Sequence, residues 1–128
     1  HIHFFYGGRT ELDLVERNRI KKLGVKFQPV TEDGSIGDKG LVTNSVEKYI
    51  AENHGTHRLR LYGCGPEKML KAVDDLGMKY GVAGQISLEA PMPCGVGICL
   101  GCVVNLRAGG HARVCTEGPV FEIGEVLL

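Results

Sequence analysis

The spacing of apolar positions changes period repeatedly up to residue 90, and beyond that point no helical period remains. Residues 2–6 form an apolar run that reads as a buried strand, and Gly7-Gly8-Arg9 breaks it. Thr10 followed three residues later by Asp13 is a loose capping box and predicts a helix. Its apolar set is Leu12, Val15, Ile20 and Leu23, and Gly24 ends it. Residues 25–30 read as a second strand, followed by a polar loop over 31–40. Asn44 with Glu47 offers another cap, and Val46, Tyr49 and Ile50 mark a helix face. A third strand is predicted over 57–62, with Leu59 and Leu61 alternating. Gly63-Cys64-Gly65-Pro66 then turns the chain into a helix, with Pro66 suited to its first position. Met69, Leu70, Val73 and Leu76 give that helix a buried stripe, and residues 85–89 read as a fourth strand.

Strands alternating with helices predict a parallel sheet covered by helices. Residues 91–128 read differently. Segments 102–106 and 111–114 flank Arg107-Ala108-Gly109-Gly110, a hairpin turn, and a last strand starts at Val120-Phe121. The reading is therefore α/β with a small antiparallel tail, divided into 1–90 and 91–128 at Ala90-Pro91-Met92-Pro93.

Composition narrows the function classes. Fifteen basic and fifteen acidic residues cancel, so nothing favours nucleic acid or an anionic membrane. No apolar run approaches the ~20 residues of a membrane span. No secretory signal is visible, and a disulfide framework would leave one of five cysteines over. A cytoplasmic metal site suits these cysteines better. The chain opens in a strand rather than at Met, which reads as a fragment or a trimmed domain.

Four of the cysteines fall as C-x4-C-x2-C-x12-C, at Cys94, Cys99, Cys102 and Cys115. This is the plant-type ligand spacing of a [2Fe–2S] cluster. Such a cluster is anionic and needs backbone N–H groups aimed at its sulfurs. Gly95, Gly97 and Gly101 give the loop the freedom to supply them. A zinc site on the same four residues, in a non-enzymatic interaction module, is the rival reading. Zinc favours paired C-x2-C knuckles, and only one is present. The five histidines form no ligand pattern, and no Ser/His/Asp or paired-carboxylate constellation is readable.

A second candidate site comes from the loops after the early strands. In open α/β sheets ligands bind along the carboxyl edge. Gly7, Gly8 and Arg9, then Glu32 and Asp33, then Gly63, Cys64, Gly65 and Pro66 all follow strands and are expected to share that edge. Arg9 suits a phosphate or ribose, and Glu32 and Asp33 suit hydroxyls. Cys64 reads equally as a small packing residue. The G-x-G-x-x-G turn that holds a pyrophosphate has no match here and is expected before His1. A stand-alone nucleotide-binding regulator is thus a further alternative.

Cys94-Gly95-Val96-Gly97-Ile98-Cys99, Cys102 and residues 113–121 (Arg-Val-Cys-Thr-Glu-Gly-Pro-Val-Phe) resemble the cluster-binding tail of the dihydroorotate dehydrogenase electron-transfer subunit. Gly7-Gly8-Arg9, Thr31-Glu32-Asp33-Gly34, Gly40-Leu41-Val42-Thr43 and Tyr62-Gly63-Cys64-Gly65-Pro66 resemble the pyridine-nucleotide domain of ferredoxin reductase-like flavoproteins. Hydrogenase gamma subunits and NADH-ferredoxin NADP oxidoreductase subunits are similar. The resemblance implies a ferredoxin reductase-like nucleotide-binding domain lacking its first strand, followed by a [2Fe–2S] tail. It implies an oxidoreductase of pyrimidine biosynthesis that is incomplete by itself, with NAD(P) and, in the full-length protein, FAD on a preceding β-barrel. The implied ligands are Cys94, Cys99, Cys102 and Cys115. Cys64, Gly65 and Pro66 are placed near the nicotinamide and Arg9 near the adenosine half. The implied partner is a catalytic dehydrogenase subunit, and a homodimer is a further expectation.

Overall fold

The computed structural model describes residues 1–128. They form two compact units, 1–52 and 53–128.

In the first unit, strand β1 (His3–Gly8) lies parallel to β2 (Lys26–Thr31), with His3 opposite Lys26 and Gly8 opposite Thr31. A short β3 (Asp38–Lys39) adds to the other side of β2 within the predicted polar loop. Side chains alternate across β1, so its aromatic run serves both faces. His3 and Phe5 stack at 4.3 Å and meet Tyr49 of helix α2 (Val42–Asn53) edge-on. Phe4 and Tyr6 meet Phe27 on the opposite face. Val30, Thr31 and Ile50 are fully buried at the centre of the unit.

The predicted first helix is broken. The Thr10–Asp13 capping box forms, but it opens only a 3-10 turn, Glu11–Asp13. Glu16 then sits at φ 55°, and a five-residue helix α1 (Arg17–Lys21) follows. The expected apolar set does not reach the core: Leu12, Val15 and Leu23 are exposed, and Leu14 is the buried residue. The predicted positions would share one face of a continuous helix, but Glu16 in the left-handed region interrupts the chain between Val15 and Ile20, so no such helix forms to bury them. Helix α2 also starts two residues before the Asn44 cap, which leaves Asn44 inside it.

In the second unit, β4 (Leu61–Cys64) lies parallel to β5 (Gly84–Ser87). Helix α3 (Glu67–Tyr80) connects them, begins after Pro66 and ends at Gly81 in the left-handed conformation. Pro66 is the N-cap, one residue before the position predicted for it. Leu70, Val73 and Leu76 are buried as the stripe requires, each such side chain contributing roughly 1.5–3 kcal/mol. The hairpin forms as β6 (Val103–Asn105) against β7 (His111–Arg113), Val103 opposite Arg113. The last strand, β8 (Val120–Glu122), pairs antiparallel with β5, Ile86 opposite Phe121. Residues 91–128 therefore share one core with the preceding helix and strands: Leu70, Val73, Ile86 and Leu88 pack with Cys102, Ala112, Val114, Phe121 and Val126. The compositional change at residue 90 falls inside this unit.

The parallel pairing expected from the alternation is present. Parallel pairing occurs in two separate sheets, β1-β2-β3 and β4-β5-β8. No strand of the chain hydrogen-bonds to both β1 and β4.

Asp74 is the polar residue inside the second core, at 1% exposure. Its carboxylate accepts from the Gly124 N–H at 2.6 Å and from Arg107 Nη2 at 3.1 Å. Arg107 also donates to the carbonyls of Gly124 and Val126. Together they fix the C-terminal segment onto α3. Asp74→Ala takes the acceptor from the part-buried Gly124 N–H and removes one of the three acceptors that hold the Arg107 guanidinium. A loss of about 2–3 kcal/mol is expected, measured as a lower urea midpoint at unchanged slope. A midpoint equal to that of the parent protein would refute this account of Asp74.

Candidate iron–sulfur and nucleotide sites

The cysteine loop spans residues 94–102 between β5 and the hairpin, and Cys115 follows β7 by two residues. All five cysteines are free thiols. The four tail cysteines fall into two pairs by hydrogen bonding. Cys94 and Cys99 interact through their side chains, as do Cys102 and Cys115. No three Cys, His, Asp or Glu side chains gather as they would around one ion.

Backbone donors surround the sulfurs. The Cys99 N–H points at Cys94 Sγ at 3.5 Å, and the Gly101 N–H at Cys99 Sγ at 3.4 Å. The N–H groups of Cys99, then Val96, with the Cys99 thiol and the Ile98 N–H, pull the Cys94 thiol down to about 6. The Cys115 N–H and thiol lower Cys102, and the hydrogen bond with the Cys102 side chain raises Cys115. This donor set fits an anionic iron–sulfur core, since each N–H stabilises charge on sulfur.

The loop geometry is built by Gly95 at φ 66° and Gly97 at φ 76°. Gly101, expected to supply conformational freedom, does not take a positive φ. Leu100 does, at φ 58°, directly before the N–H that reaches Cys99. Cys102 is buried in the shared core, whereas Cys99 is exposed. Val96, Ile98 and Leu100 are 63%, 80% and 61% exposed, so this apolar edge faces outward rather than covering the sulfurs.

Of the nucleotide-site candidates, Gly7, Gly8 and Arg9 end β1 in the first unit, and Glu32 and Asp33 follow β2 beside them. The Glu32 N–H donates to Gly8 O at 3.1 Å and the Asp33 N–H to Arg9 O at 3.1 Å. Arg9, Glu32 and Asp33 are exposed. Asp33 is already engaged by Ser35, from Oγ at 2.6 Å and N–H at 2.9 Å, and these bonds hold its carboxyl below the usual range. Gly63, Cys64, Gly65 and Pro66 lie at the carboxyl end of β4, where α3 begins, in the second unit. Cys64 is exposed there rather than packed. A concave surface of about 480 Å³ in the first unit is lined by Leu14, Glu16, Arg17, Asn18 and Lys21, none of them a candidate.

Residues 89–127 match the iron–sulfur cluster binding domain of dihydroorotate dehydrogenase B. An electron-transfer subunit of dihydroorotate dehydrogenase B (NAD(+)) from Caldanaerobacter subterraneus is 44% identical over 98% of this chain and 49% of its own length. The chain is homologous to the dihydroorotate dehydrogenase B electron-transfer subunits. An Aquifex aeolicus homolog of this subunit is 40% identical over 99% of this chain and 47% of its own length. The chain thus spans about half the length of the curated relatives it matches. A chain in the structure of NADH-dependent reduced ferredoxin-NADP oxidoreductase superposes with a TM-score of 0.80 at 28% identity. That match covers 96% of this chain and 43% of the other. The ferredoxin reductase-like α/β class and the antiparallel piece expected from sequence agree with this likeness. No helix is long and apolar enough to cross a membrane.

Sequence reasoning missed three features. Asp74 and Arg107 lie 33 residues apart, and no local pattern marks them. Leu100 takes a conformation usually signalled by glycine. Arg113 and Glu117 form an ion pair at i,i+4 across Cys115, and that charge spacing was visible in the sequence.

Proposed function

We propose that this chain is the nucleotide- and cluster-bearing part of an electron-transfer subunit serving dihydroorotate dehydrogenase in pyrimidine biosynthesis. Residues 1–90 carry the pyridine nucleotide and residues 91–128 a [2Fe–2S] cluster. The observation that carries this reading is the two-by-two arrangement of Cys94/Cys99 and Cys102/Cys115 under backbone N–H donors. Two irons each take two terminal thiolates, whereas one zinc draws four to a single point. When bound, the cluster accepts and returns one electron at a time.

The protein's own groups do the rest. N–H groups of Val96, Ile98 and Cys99 favour the thiolate at Cys94 before any metal arrives. Burial of Cys102 ties the ligand set to the core of α3 and β5. The outward apolar edge of Val96, Ile98 and Leu100 brings the loop against the catalytic subunit. Cys64, Gly65 and Pro66 are assigned to the nicotinamide, and Arg9, Glu32 and Gly7-Gly8 to the phosphate and ribose half. Asp33 shapes that second loop through Ser35. FAD belongs to the full-length protein. Five free thiols suit a reducing, cytoplasmic compartment.

Anaerobically purified protein is expected to absorb visible light and to contain about two irons and two acid-labile sulfides per chain. Colourless protein holding one zinc after reconstitution with iron and sulfide would refute the reading. A second reading, an NADH-dependent reduced ferredoxin-NADP oxidoreductase subunit, is favoured by the structural likeness. Reduction of the cluster by a dihydroorotate dehydrogenase catalytic subunit, but not by ferredoxin, separates the two.

A further inference from the structure

We propose that Arg113 is a positioning residue for the cluster: it clamps the cysteine loop to the hairpin and sets the ease of reduction. The inference rests on the cluster reading above. Alternation along β7 sends Ala112 and Val114 into the core, at 6% and 0% exposure, and leaves Arg113 on the other face. There Nη1 donates to the Gly97 carbonyl at 3.3 Å, across sixteen residues. Gly97 makes this approach possible. A Cβ on it would stand 3.2 Å from both Arg113 Nη1 and Thr116 Cγ2. The remaining edge of the guanidinium is held by Glu117, whose carboxylate accepts from Nε at 3.0 Å, from Nη2 and from the Arg113 backbone N–H. The planar fork is therefore fixed in direction, with one arm on the loop that carries three ligands and its own strand leading to the fourth.

The charge is placed as well as the bond. Arg113 lies two residues before Cys115 in the chain, and its Nη1 reaches the loop between Cys94 and Cys99, so the guanidinium stands beside the segments that carry the ligands. A reduced cluster carries one more negative charge than an oxidised one. Loss of the cation disfavours reduction, and loss of the neighbouring anion favours it. A purely structural loosening has no such pair of opposite signs.

The test uses the full chain with Arg113→Met, Arg113→Lys and Glu117→Gln, poised against redox mediators anaerobically and followed by EPR. Arg113→Met is expected to shift the one-electron equilibrium toward the oxidised form about tenfold, or about 59 mV. Glu117→Gln is expected to shift it the opposite way, and Arg113→Lys to restore most of the Met loss. In the apoprotein, hydrogen exchange of residues 95–101 is expected to speed up at least tenfold in Arg113→Met, because the Gly97 tie is gone. Unchanged potential in a loaded Arg113→Met, shifts of the same sign in Met and Gln variants, or unchanged exchange in the apoprotein would each overturn the proposal. Failure of the parent protein to take up iron and sulfide would instead overturn the cluster reading. The exchange measurement, which needs no metal, would still decide whether Arg113 holds the loop.

Discussion

Cys99→Ser is expected to abolish the visible cluster spectrum while leaving far-UV circular dichroism and the melting temperature close to those of the parent apoprotein. Serine is a poor ligand for iron at neutral pH, because its hydroxyl holds its proton where a cysteine thiol gives one up. The two-by-two set would lose half of the Cys94/Cys99 pair, and Cys94 would lose its thiol partner. The fold has little stake in Cys99, which is exposed and packs against nothing in the core. The contrasting variant is Cys102→Ser. That side chain is 3% exposed within the core shared by α3, β5 and the hairpin. Cys102→Ser is expected to lose the cluster and also to melt at a lower temperature. A Cys99→Ser protein that keeps its cluster spectrum would remove Cys99 from the ligand set. One that unfolds would contradict its peripheral place.

Gly84→Ala is expected to lower the melting temperature of the second unit by more than about 10 °C, with a loss of about 3 kcal/mol or more. Gly84 sits in β5 directly opposite Leu61 of β4 in the parallel pairing. A Cβ added there would lie 1.9 Å from the Leu61 carbonyl oxygen and within 3 Å of two further backbone atoms of that residue. No side-chain rotation relieves a clash between a Cβ and a neighbouring main chain. The strands must part, and the Leu61 N–H bond to the Ala83 carbonyl at 3.1 Å goes with them. The pairing that fails also positions Gly63-Cys64-Gly65-Pro66 at the strand end, so weaker nucleotide binding should accompany the lower Tm. A variant that melts within a few degrees of the parent would show that β4 and β5 are not packed as described.

Several elements were legible in the sequence because local chemistry fixes them. The Thr10–Asp13 box closes as read, since a side chain three residues away needs no tertiary help to reach the N-cap. Helix α3 keeps its stripe because Leu70, Val73 and Leu76 hold true helical spacing. The hairpin register follows from the turn at Arg107–Gly110, where the Leu106 N–H bonds to the Gly110 carbonyl at 3.1 Å. The helix after Thr10 was not legible. Its apolar spacing suits one helical face, but Glu16 in the left-handed region stops propagation, and no local pattern marks that break. Nor was the placement of β8, whose short alternating run states a strand without naming its neighbour. Only the packing of Phe121 against Ile86 puts it in the sheet of β5.

By itself, the order of residues determined an α/β protein whose tail carries four cysteines at plant-type iron–sulfur spacing, because cysteine spacing and apolar period are properties of neighbours along the chain. What the tertiary structure alone decided is how those thiolates are served. Cys99 N–H turned toward Cys94, Leu100 twisted so that Gly101 meets Cys99, Cys102 sunk among Leu88, Val114 and Phe121, and Arg113 reaching to Gly97 are all relations of direction. A hydrogen bond or a burial depends on where a group points after long-range packing is complete. Residues distant in sequence set that direction jointly, and no pairwise pattern along the chain encodes it.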